Sequence, residues 1–490
     1  MTSTRVVVVG SGNAGYCAAH AARDAGAQVT LVEKAPQGWG GGNSYFTAGA
    51  FRVAHEGFDA LAELVSTVPE DKAGRTFIDA YPEEAYRRDL EHVTRGRTDP
   101  LLADLLISNS WETAQWMRGH NIDFELMYHR QAYEVDGAFR FWGGLALGAI
   151  GGGKGLIAAH EEEARRTGIE VRYDTAADEL VVDESGAVCG ISVKTPNGPQ
   201  TLYADAVILA AGGFEADPRM RAAYLGQGWD LALVRGTPYN TGDGIEMALR
   251  IGAQAYGHWG GRHAVAWDAE APATGDRHVT NQYTRGGYPF GIVVNSDGER
   301  FLDEGADFRN FTYAEYGARI LEQPGSRAVQ IFDAKAEPLL RPEEYAAPST
   351  SKVVANGLEE LAQLLHVDPA GLKHTVAQYN AAVNDEQFDP TVKDGKAALG
   401  IKPPKSNWAQ RIDQPPYQAY PVTCGITFTF GGLRVDEQAR VLDTSNIVIP
   451  GLFAAGELVG GLFYFNYPGG SGLTAGSVFG RIAGGAAAGN

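Results

Sequence analysis

Five basic side chains occupy three short segments in the middle of the chain, among glycines and aromatic residues. Guanidinium and imidazole groups can bind a carboxylate or polarise a carbonyl, although single residues of this kind are equally typical of solvated charges on a large protein. The chain has 60 acidic and 41 basic residues, a net charge of −19, so a site for an anionic substrate must gather its cations locally. The five candidates are His263, Arg262, Arg285, Arg309 and the neighbouring His258.

Composition excludes several classes of protein. A net charge of −19 disfavours binding to DNA, RNA or any other nucleic acid. The three cysteines are far apart, which predicts no disulfide framework, no haem attachment and no metal site. The chain enters a β-branched run at once, without a signal-peptide core, and contains no apolar run of about 20 residues. We therefore expect a cytoplasmic setting, and 490 residues predict two domains.

The N-terminal segment RVVVVGSGNAGYCAAHAARDAGAQVTLVEK predicts a dinucleotide site on a strand, a helix and a second strand. Gly10 permits a tight turn, Gly12 lets the backbone approach a pyrophosphate, and Gly15 lets the helix pack closely on the strand. Glu33 ends the second strand, where a carboxylate can bind ribose hydroxyls, which argues against NADP. The unit occurs once, so FAD and NAD do not both have such a site.

Further glycine-rich turns follow predicted strands in a fixed order. They are GGNSYFTAGAFR, ADAVILAAGGFEAD, YNTGDGIEMALRIGA, VVNSDGERFLDE and IPGLFAAGELVGG. With the N-terminal motif, this set resembles the flavoprotein family of fumarate reductases and succinate dehydrogenase over nearly the whole chain. The resemblance implies an α/β fold: a Rossmann-like FAD-binding domain of the glutathione-reductase type with an inserted α+β capping domain. It implies an FAD domain at 1–257 and 430–490 and a cap at 258–429.

The resemblance also implies the residues that bind FAD. Some members attach FAD covalently through a histidine in the GGNS region, where this chain has Asn43, so we expect non-covalent FAD. The expected FAD-binding residues are Gly10, Gly12, Asn13, Ala14, Gly15, Glu33, Lys34, Gly41, Gly42, Asn43, Ser44, Ala48, Gly49, Ala177, Gly212, Gly213, Asp243, Glu457, Gly472 and Leu473. Asp243 and Glu457 are expected near the ribityl chain.

A flavin dehydrogenase that desaturates a C–C bond needs a route for a proton as well as a hydride acceptor. The resemblance implies that His263 binds a substrate carboxylate and that Arg309 transfers the proton. Arginine is a weak base because its pKa exceeds about 12, so Arg309 needs a relay. The family carries a glutamate for this purpose where this chain has Gln282, while Arg285 is retained. Tyr283 or Tyr313 could take the place of the glutamate.

The C-terminal loop FNYPGGSGLTAG departs from the fumarate reductases. Tyr467 stands where those enzymes have an arginine that binds a substrate carboxylate, and Ser471 replaces an asparagine. A histidine of the family is also absent, with TFTFGG in its place. We therefore expect the bare loop to lie against the flavin, Tyr467 to point into the substrate space, and the activity to differ from plain fumarate reduction.

The closest resemblance of the whole chain is to the FAD-dependent tricarballylate dehydrogenases, which oxidise propane-1,2,3-tricarboxylate to cis-aconitate. Arg262, His263, Arg285 and Arg309 could supply cations for three carboxylates. Two alternatives stay open. One is a desaturase or reductase of another carbonyl-bearing substrate, like 3-ketosteroid dehydrogenases or fumarate reductases, and the other is a non-enzymatic flavoprotein. The electron acceptor is not identifiable, and an iron–sulfur membrane protein or a quinone is expected.

Overall fold

The computed structural model describes residues 3–489 as strands and helices in alternating groups. The strands are β1 Arg5–Val9, β2 Gln28–Val32, β3 Ala50–Phe51, β4 Thr76–Phe77, β5 Phe124–Leu126, β6 Ala132–Val135, β7 Ala138–Phe141, β8 Leu147–Ala149, β9 Glu170–Arg172, β10 Ala176–Val182, β11 Val188–Thr195, β12 Gly198–Tyr203, β13 Ala206–Leu209, β14 Leu233–Val234, β15 Ala255–Asp268, β16 Ile292–Val294, β17 Ala328–Phe332, β18 Val353–Ala355, β19 Tyr417–Leu433, β20 Arg440–Leu442 and β21 Val448–Ala454. The helices are α1 Asn13–Asp24, α2 Phe58–Leu64, α3 Glu70–Ala73, α4 Glu83–Thr94, α5 Pro100–Gly119, α6 Tyr128–Gln131, α7 Gly152–Thr167, α8 Pro218–Met220, α9 Asp243–Arg250, α10 Tyr313–Leu321, α11 Pro342–Tyr345, α12 Leu358–Leu365, α13 Pro369–Ala382 and α14 Ser471–Ala487.

The nucleotide-binding part is built on a six-stranded sheet in the order β20-β21-β13-β1-β2-β9. Strand β1 lies between β13 and β2 and pairs with both in parallel, and its four valines are buried. A continuous apolar run is what a strand covered on both faces requires. Because these strands are parallel, the turns after β1, β2 and β13 meet at one edge of the sheet, where open α/β sheets bind their ligands.

Helices α1 and α14 pack together through small residues. The glycines of α14 recur every four residues on the side that faces α1, at 476, 480 and 484. A Cβ at Gly480 would lie 2.5 Å from the carbonyl oxygen of Ala14, and one at Gly484 would lie 2.2 Å from that of Ala18. The side-chain amide of Asn13 joins the two helices by donating to the carbonyl oxygen of Leu473 and to the hydroxyl of Ser477, both at 2.9 Å. The beginning of each helix is thereby fixed beside the other.

A second large sheet has the order β14-β19-β17-β16, and β15 and β18 also pair with β19. One apolar cluster packs α12 and α13 against this sheet, and it includes Ile331, Leu361, Leu372 and Ala419. The expected domain boundaries after 257 and 429 fall inside the long antiparallel strands β15 and β19. These two strands therefore run continuously from the nucleotide-binding part into the second sheet.

The remaining segments form smaller layers on these two sheets. Strands β10, β11 and β12 form an antiparallel three-stranded sheet, and residues 50–150 form α2 to α6 with two further three-stranded sheets. Within residues 3–489, every helix is too short or too polar to cross a bilayer. The architecture confirms the predicted α/β fold class, while the domain boundaries stay a prediction.

The α1–α14 contact predicts opposite effects for two glycines of the same helix. Gly480→Ala should lower the free energy of unfolding by about 1–3 kcal/mol and reduce FAD retention, because the new methyl group would collide with the backbone of Ala14. Gly485→Ala is the matched control, since a Cβ there has nothing within 4 Å. It should stabilise the protein by up to about 1 kcal/mol through helix propensity. Urea unfolding of both variants checks this, and equal effects would contradict the described packing.

Candidate active site

A long cavity of about 1770 Å³, counting its open mouth, lies along the edge where the strands of the six-stranded sheet end. It begins beside Glu33 and Lys34, passes the turn of Gly10 to Ala14, and ends between the two large sheets at His263 and Arg309. Its length and its position at the carboxyl ends of parallel strands fit a dinucleotide with a substrate at the far end.

The end of the cavity next to β2 has the features of a ribose and pyrophosphate site. The carboxylate of Glu33 is fixed by the backbone N–H and hydroxyl of Ser11, at 3.0 and 2.7 Å, and by the N–H of Ala35 at 2.8 Å. Helix α1 begins beside it and directs its free N–H groups into the cavity, which suits a phosphate. Asp243 forms an ion pair with Lys34 at 2.5 Å. Asp243 therefore lies beside Lys34 in the cavity lining, and its expected position near the ribityl chain stays a prediction.

The glycines predicted to bind FAD divide into two groups. A Cβ at Gly12, Gly42 or Gly472 would meet no atom closer than 3.6 Å on the cavity side, so these bare backbones border open space that a ligand can fill. A Cβ at Gly15 would lie 1.9 Å from the carbonyl oxygen of Gly10, which is a packing requirement. Gly41, Gly49 and Gly213 also pack against protein atoms and lie outside the cavity lining.

Sixteen of the twenty predicted FAD-binding residues line the cavity. They are Gly10, Gly12, Asn13, Ala14, Glu33, Lys34, Gly42, Asn43, Ser44, Ala48, Ala177, Gly212, Asp243, Glu457, Gly472 and Leu473. This lining, with the bare backbones and the beginning of α1, fits the pyrophosphate, ribose and ring of FAD.

Asn43 is held by three hydrogen bonds. Its amide nitrogen donates to Glu215 at 2.5 Å and to the carbonyl oxygen of Thr427 at 2.7 Å, and its amide oxygen accepts from the N–H of Thr237 at 2.8 Å. These bonds tie the GGNS turn to β19 and to the loop before α9. The position at which some family members carry a histidine is thus occupied by a residue with a structural hydrogen-bond network.

Two glutamates lie together beneath this turn. Burial, and then the neighbouring Glu457, raise the pKa of Glu215 well above its usual range. Glu457 accepts from the backbone N–H and the hydroxyl of Thr429, at 2.8 and 3.1 Å. Burial raises the pKa of Glu457 as well, so the buried pair favours a shared proton over two negative charges.

The C-terminal loop is positioned by a buried arginine. Nε of Arg52 donates to the carbonyl oxygen of Gly469 at 2.8 Å, and the hydroxyl of Tyr86 donates to Ser471 at 2.8 Å. Gly470 has φ +88°, and a Cβ there would lie 2.7 Å from Leu145. The loop therefore needs glycine, and it presents Tyr467, Gly472 and Leu473 to the cavity.

Tyr467 belongs to a buried cluster at the far end of the cavity. Its hydroxyl is hydrogen-bonded to that of Tyr313, and the ring of His263 lies 4.8 Å from the ring of Tyr467 and 4.9 Å from that of Tyr313, between centroids. Burial raises the pKa of Tyr467 well above its usual range and lowers that of His263 well below its own. At neutral pH the cluster thus offers two phenols and a neutral imidazole. Among residues 3–489, Nε2 of His263 has no hydrogen-bond partner.

The structure separates the three predicted arginines. Arg309 lines the cavity, with its guanidinium carbon 5.3 Å from the ring centroid of Trp142. Arg262 lies outside the lining, 4.7 Å from the ring centroid of Trp229. Arg285 is also outside, in an ion pair with Asp268 in which both side chains are fully buried. Its guanidinium also donates to the carbonyl oxygens of Gln282 and Glu344, at 2.7 and 2.5 Å. Arg262 and Arg285 therefore do not reach a substrate in the cavity.

Three arginines that the sequence did not single out line the substrate end in their place: Arg130, Arg235 and Arg341. Arg130 and Arg341 share the buried carboxylate of Glu344, at 2.8 and 3.0 Å. Arg235 stands in the loop before the TGDGIEMA motif, whereas Arg130 and Arg341 stand in segments without any motif. Proximity to that motif is the only signal that could have identified one of them.

Unlike Arg130, Arg285 and Arg341, Arg235 has only neutral hydrogen-bond partners. Its Nε donates to the side-chain oxygen of Asn281 at 3.1 Å and its Nη1 to the hydroxyl of Thr427 at 3.0 Å. The side chain is 7% exposed, and among residues 3–489 no carboxylate lies within ion-pair distance of it. Burial lowers the pKa of Arg235. A buried cation with only neutral partners is a ready site for an anion that enters the cavity.

Of the other residues considered for the proton relay, Tyr313 alone lines the cavity. Tyr283 packs on Trp267, with 5.4 Å between ring centroids, and Gln282 contributes its backbone carbonyl oxygen to Arg285. Asn281 and Thr284, from the same turn, do line the cavity, as does Glu344 from α11.

Residues 5–473 match a family model described as "FAD binding domain". The chain is 31% identical over 481 residues to the fumarate reductase (cytochrome) of Shewanella frigidimarina, covering 98% of this chain and 76% of that protein. It is also 31% identical to 4-oxocyclohexanecarboxylate 2-dehydrogenase of Sinomonas cyclohexanicum, covering 99% of this chain and 93% of that one. The open conformation of a flavocytochrome c3 fumarate reductase has a TM-score of 0.74 and 29% identity, covering 99% of this chain and 78% of that chain.

The protonated state of Glu215 predicts a pH dependence of stability. Because its pKa is raised in the folded protein, the folded state keeps one more proton than the unfolded state above the ordinary pKa range of glutamate. The contribution of Glu215 to the free energy of unfolding is fully present at low pH. It falls by about 1.4 kcal/mol for each pH unit as the pH rises. Glu215→Gln should remove that slope, so its advantage over wild type should grow between pH 5 and 8 in urea unfolding. A constant difference across this range would mean that Glu215 is ionised in the native protein.

Proposed function

Because the chain belongs to the FAD-containing flavoprotein family of the fumarate reductases and succinate dehydrogenases, we propose that it desaturates a C–C bond beside a carboxylate in a small polycarboxylate. The expected reaction is oxidation of tricarballylate to cis-aconitate. The observation that carries this proposal is Arg235, a buried cation beside neutral partners at the substrate end of the cavity. The guanidinium group of Arg235 requires an anionic partner, and a carboxylate of the substrate supplies that anion.

The charge of the substrate end supports a substrate with more than one carboxylate. Four guanidinium groups, those of Arg130, Arg235, Arg309 and Arg341, line it against the single carboxylate of Glu344. This concentration of cations stands in a chain with net charge −19. Arg235 and the Arg130–Arg341 pair can each bind one carboxylate, and His263 can donate a hydrogen bond from its unpartnered Nε2 to a third.

The proposed roles follow from these positions. FAD, when bound, accepts the hydride and so carries the oxidation. Arg309 takes the proton from the carbon next to the carboxylate, and the cations around that carboxylate stabilise the negative charge that develops on it. Tyr467 and Tyr313 are neutral phenols that orient a substrate oxygen. The aromatic rings of His263, Tyr467 and Phe428 pack together and exclude water from this end of the cavity.

A second candidate is desaturation or reduction next to a ketone or another carbonyl group. The observation that favours it is the buried Tyr313–Tyr467 hydroxyl pair, which can donate a hydrogen bond to a carbonyl oxygen. A relative with 31% identity is named for a substrate that contains both an oxo group and a carboxylate. A substrate of this kind would use the tyrosine pair and Arg235 together. A non-enzymatic role is the remaining class.

The oxidised flavin reports directly on the substrate. We expect anaerobic addition of tricarballylate to bleach the oxidised flavin band of the purified protein, with cis-aconitate as the product. Succinate, 4-oxocyclohexanecarboxylate and a 3-ketosteroid serve as comparison compounds. Bleaching by a carbonyl compound and not by tricarballylate would replace the first candidate with the second. A flavin that no candidate reduces would favour the non-enzymatic class.

Arg235→Gln should weaken binding of the polycarboxylate by at least about 30-fold, because the cation opposite a buried carboxylate is removed. The variant should keep FAD and should unfold at the same or a higher temperature, since an uncompensated buried charge is lost. Arg262→Gln is the comparison, and its substrate Kd should stay within about threefold of wild type. Spectral titration of the oxidised protein measures both values. A large loss in Arg262→Gln with none in Arg235→Gln would contradict this assignment.

The electron acceptor stays a prediction. Reduced FAD must pass two electrons onward, and an iron–sulfur membrane protein or a quinone is the expected partner. Stopped-flow reoxidation of the reduced protein by a soluble quinone, compared with reoxidation by oxygen, tests the quinone alternative.

A further inference from the structure

A proton taken up by Arg309 needs a way out of the cavity. Arginine stays protonated at any physiological pH, so it can accept a proton only while it gives one up. Gln282 cannot titrate, and Arg285 is locked in its ion pair with Asp268. The inference below rests on the proposed function, because the proton in question is the one that the desaturation releases.

Glu344 lies where such a proton could go. It is fully buried in the short helix α11, and it lines the cavity. Its Oε1 accepts from Arg130 at 2.8 Å and from Arg341 at 3.0 Å, and its Oε2 accepts from the backbone N–H of Gly286 at 3.1 Å. Within the described residues 3–489, Oε2 therefore has only a backbone partner and retains a lone pair for a further donor.

Arg309 faces the same small space as Oε2 of Glu344. A Cβ built on Gly286 would lie 3.1 Å from Oε2 of Glu344 and 3.2 Å from Nη1 of Arg309. The two side chains thus border one gap above a residue that has no side chain. A single water molecule can bridge polar groups across such a gap.

The path continues outward through Arg130. The Nη2 of Arg130 contacts Glu344 at 2.8 Å, and its Nη1 contacts Glu343 at 2.8 Å. The side chain of Glu343 is 28% exposed, whereas that of Glu344 is completely buried. One guanidinium group therefore joins a carboxylate inside the cavity to a carboxylate that reaches solvent.

We propose that Glu344 receives the substrate proton from Arg309 and passes it through Arg130 to Glu343 and solvent. As Arg309 takes the proton from carbon, it releases one of its own N–H protons to the Glu344 carboxylate, which becomes a carboxylic acid. Arg130 repeats this exchange between Glu344 and Glu343, so both guanidinium charges are unchanged at the end. The two electrons of the broken C–H bond on the other carbon leave with the hydride to FAD. In the reducing direction, the same residues deliver the proton.

Several charged and titratable groups surround Glu344 and set its behaviour. Arg130 of α6, Arg341 before α11 and Arg309 face its carboxylate, and Arg285 binds its backbone carbonyl oxygen. Arg235, Tyr133 and Tyr288 lie near enough to share its electrostatic field. Four arginines therefore lie around Glu344, three at its carboxylate and one at its backbone carbonyl oxygen.

The test is anaerobic stopped-flow reduction of the FAD-loaded protein by tricarballylate, in H₂O and D₂O, from pH 5 to 9. Glu344→Gln should slow flavin reduction by about 10²-fold or more and raise the solvent isotope effect. Substrate Kd, measured by spectral titration, should stay the same or decrease, because Arg130 and Arg341 lose their neutralising partner. Glu270→Gln, an exposed glutamate in the same part of the fold, is the matched control.

A structural role for Glu344 predicts a different result. If it only positions Arg130 and Arg341, Glu344→Gln would weaken substrate binding at an unchanged reduction rate and isotope effect, and the route would be wrong. If Glu344→Gln does not fold, the Gly286→Ala variant provides the test of the route, because its methyl group would fill the gap between Arg309 and Glu344. Slow reduction with a raised solvent isotope effect supports the route, and wild-type kinetics overturn it. A wild-type flavin that tricarballylate does not reduce would overturn the proposed function, and the route with it.

Discussion

A full positive charge buried among neutral oxygens is the interaction on which the proposed substrate end of this protein depends. Removing a guanidinium group from water costs several kcal/mol even after relaxation, and hydrogen bonds that it donates to an amide oxygen and a hydroxyl recover only part of that. Arg235 is in this situation, held by Asn281 and Thr427. Among residues 3–489, no carboxylate forms an ion pair with Arg235 that would offset this cost. An anionic ligand relieves it, so binding free energy is stored in the site before the ligand arrives.

The architecture explains how such a site is assembled from distant segments. Arg130 belongs to the layer formed by residues 50–150, Arg235 follows β14, and Arg309 and Arg341 lie in loops over the second sheet. Strands β15 and β19 run from one sheet into the other, and they place His263 and Thr427 between the nucleotide turn and these arginines. The nucleotide half depends on close backbone contacts, and the substrate half depends on charges. The two meet at Asn43, whose three hydrogen bonds join the GGNS turn to both.

The sequence was most informative where chemistry is tied to a local backbone pattern. A tight turn and a buried strand have strict local requirements. For this reason the sequence could place the turn after β1, the carboxylate at the end of β2 and the strand after residue 204. Even there, the pattern did not distinguish Gly12, which borders open space, from Gly15, which packs on Gly10.

Ion pairs, in contrast, can join residues that are far apart in the sequence. Arg285 and Arg235 look alike in the sequence, yet Arg285 is neutralised by Asp268 and Arg235 is not. The partners of Arg130 are more than 200 residues away, so no spacing rule could have revealed them.

The distribution of partners also bears on the choice between substrates. A neutral ketone could occupy the Tyr313–Tyr467 pair, but it would cover Arg235 without offering an anion and would make its burial more costly. The proposed polycarboxylate would place a charge against Arg235, and its remaining carboxylates would face Arg130, Arg309 and Arg341. Under this proposal, selectivity would arise largely from the penalty on a ligand that leaves Arg235 without a counter-charge.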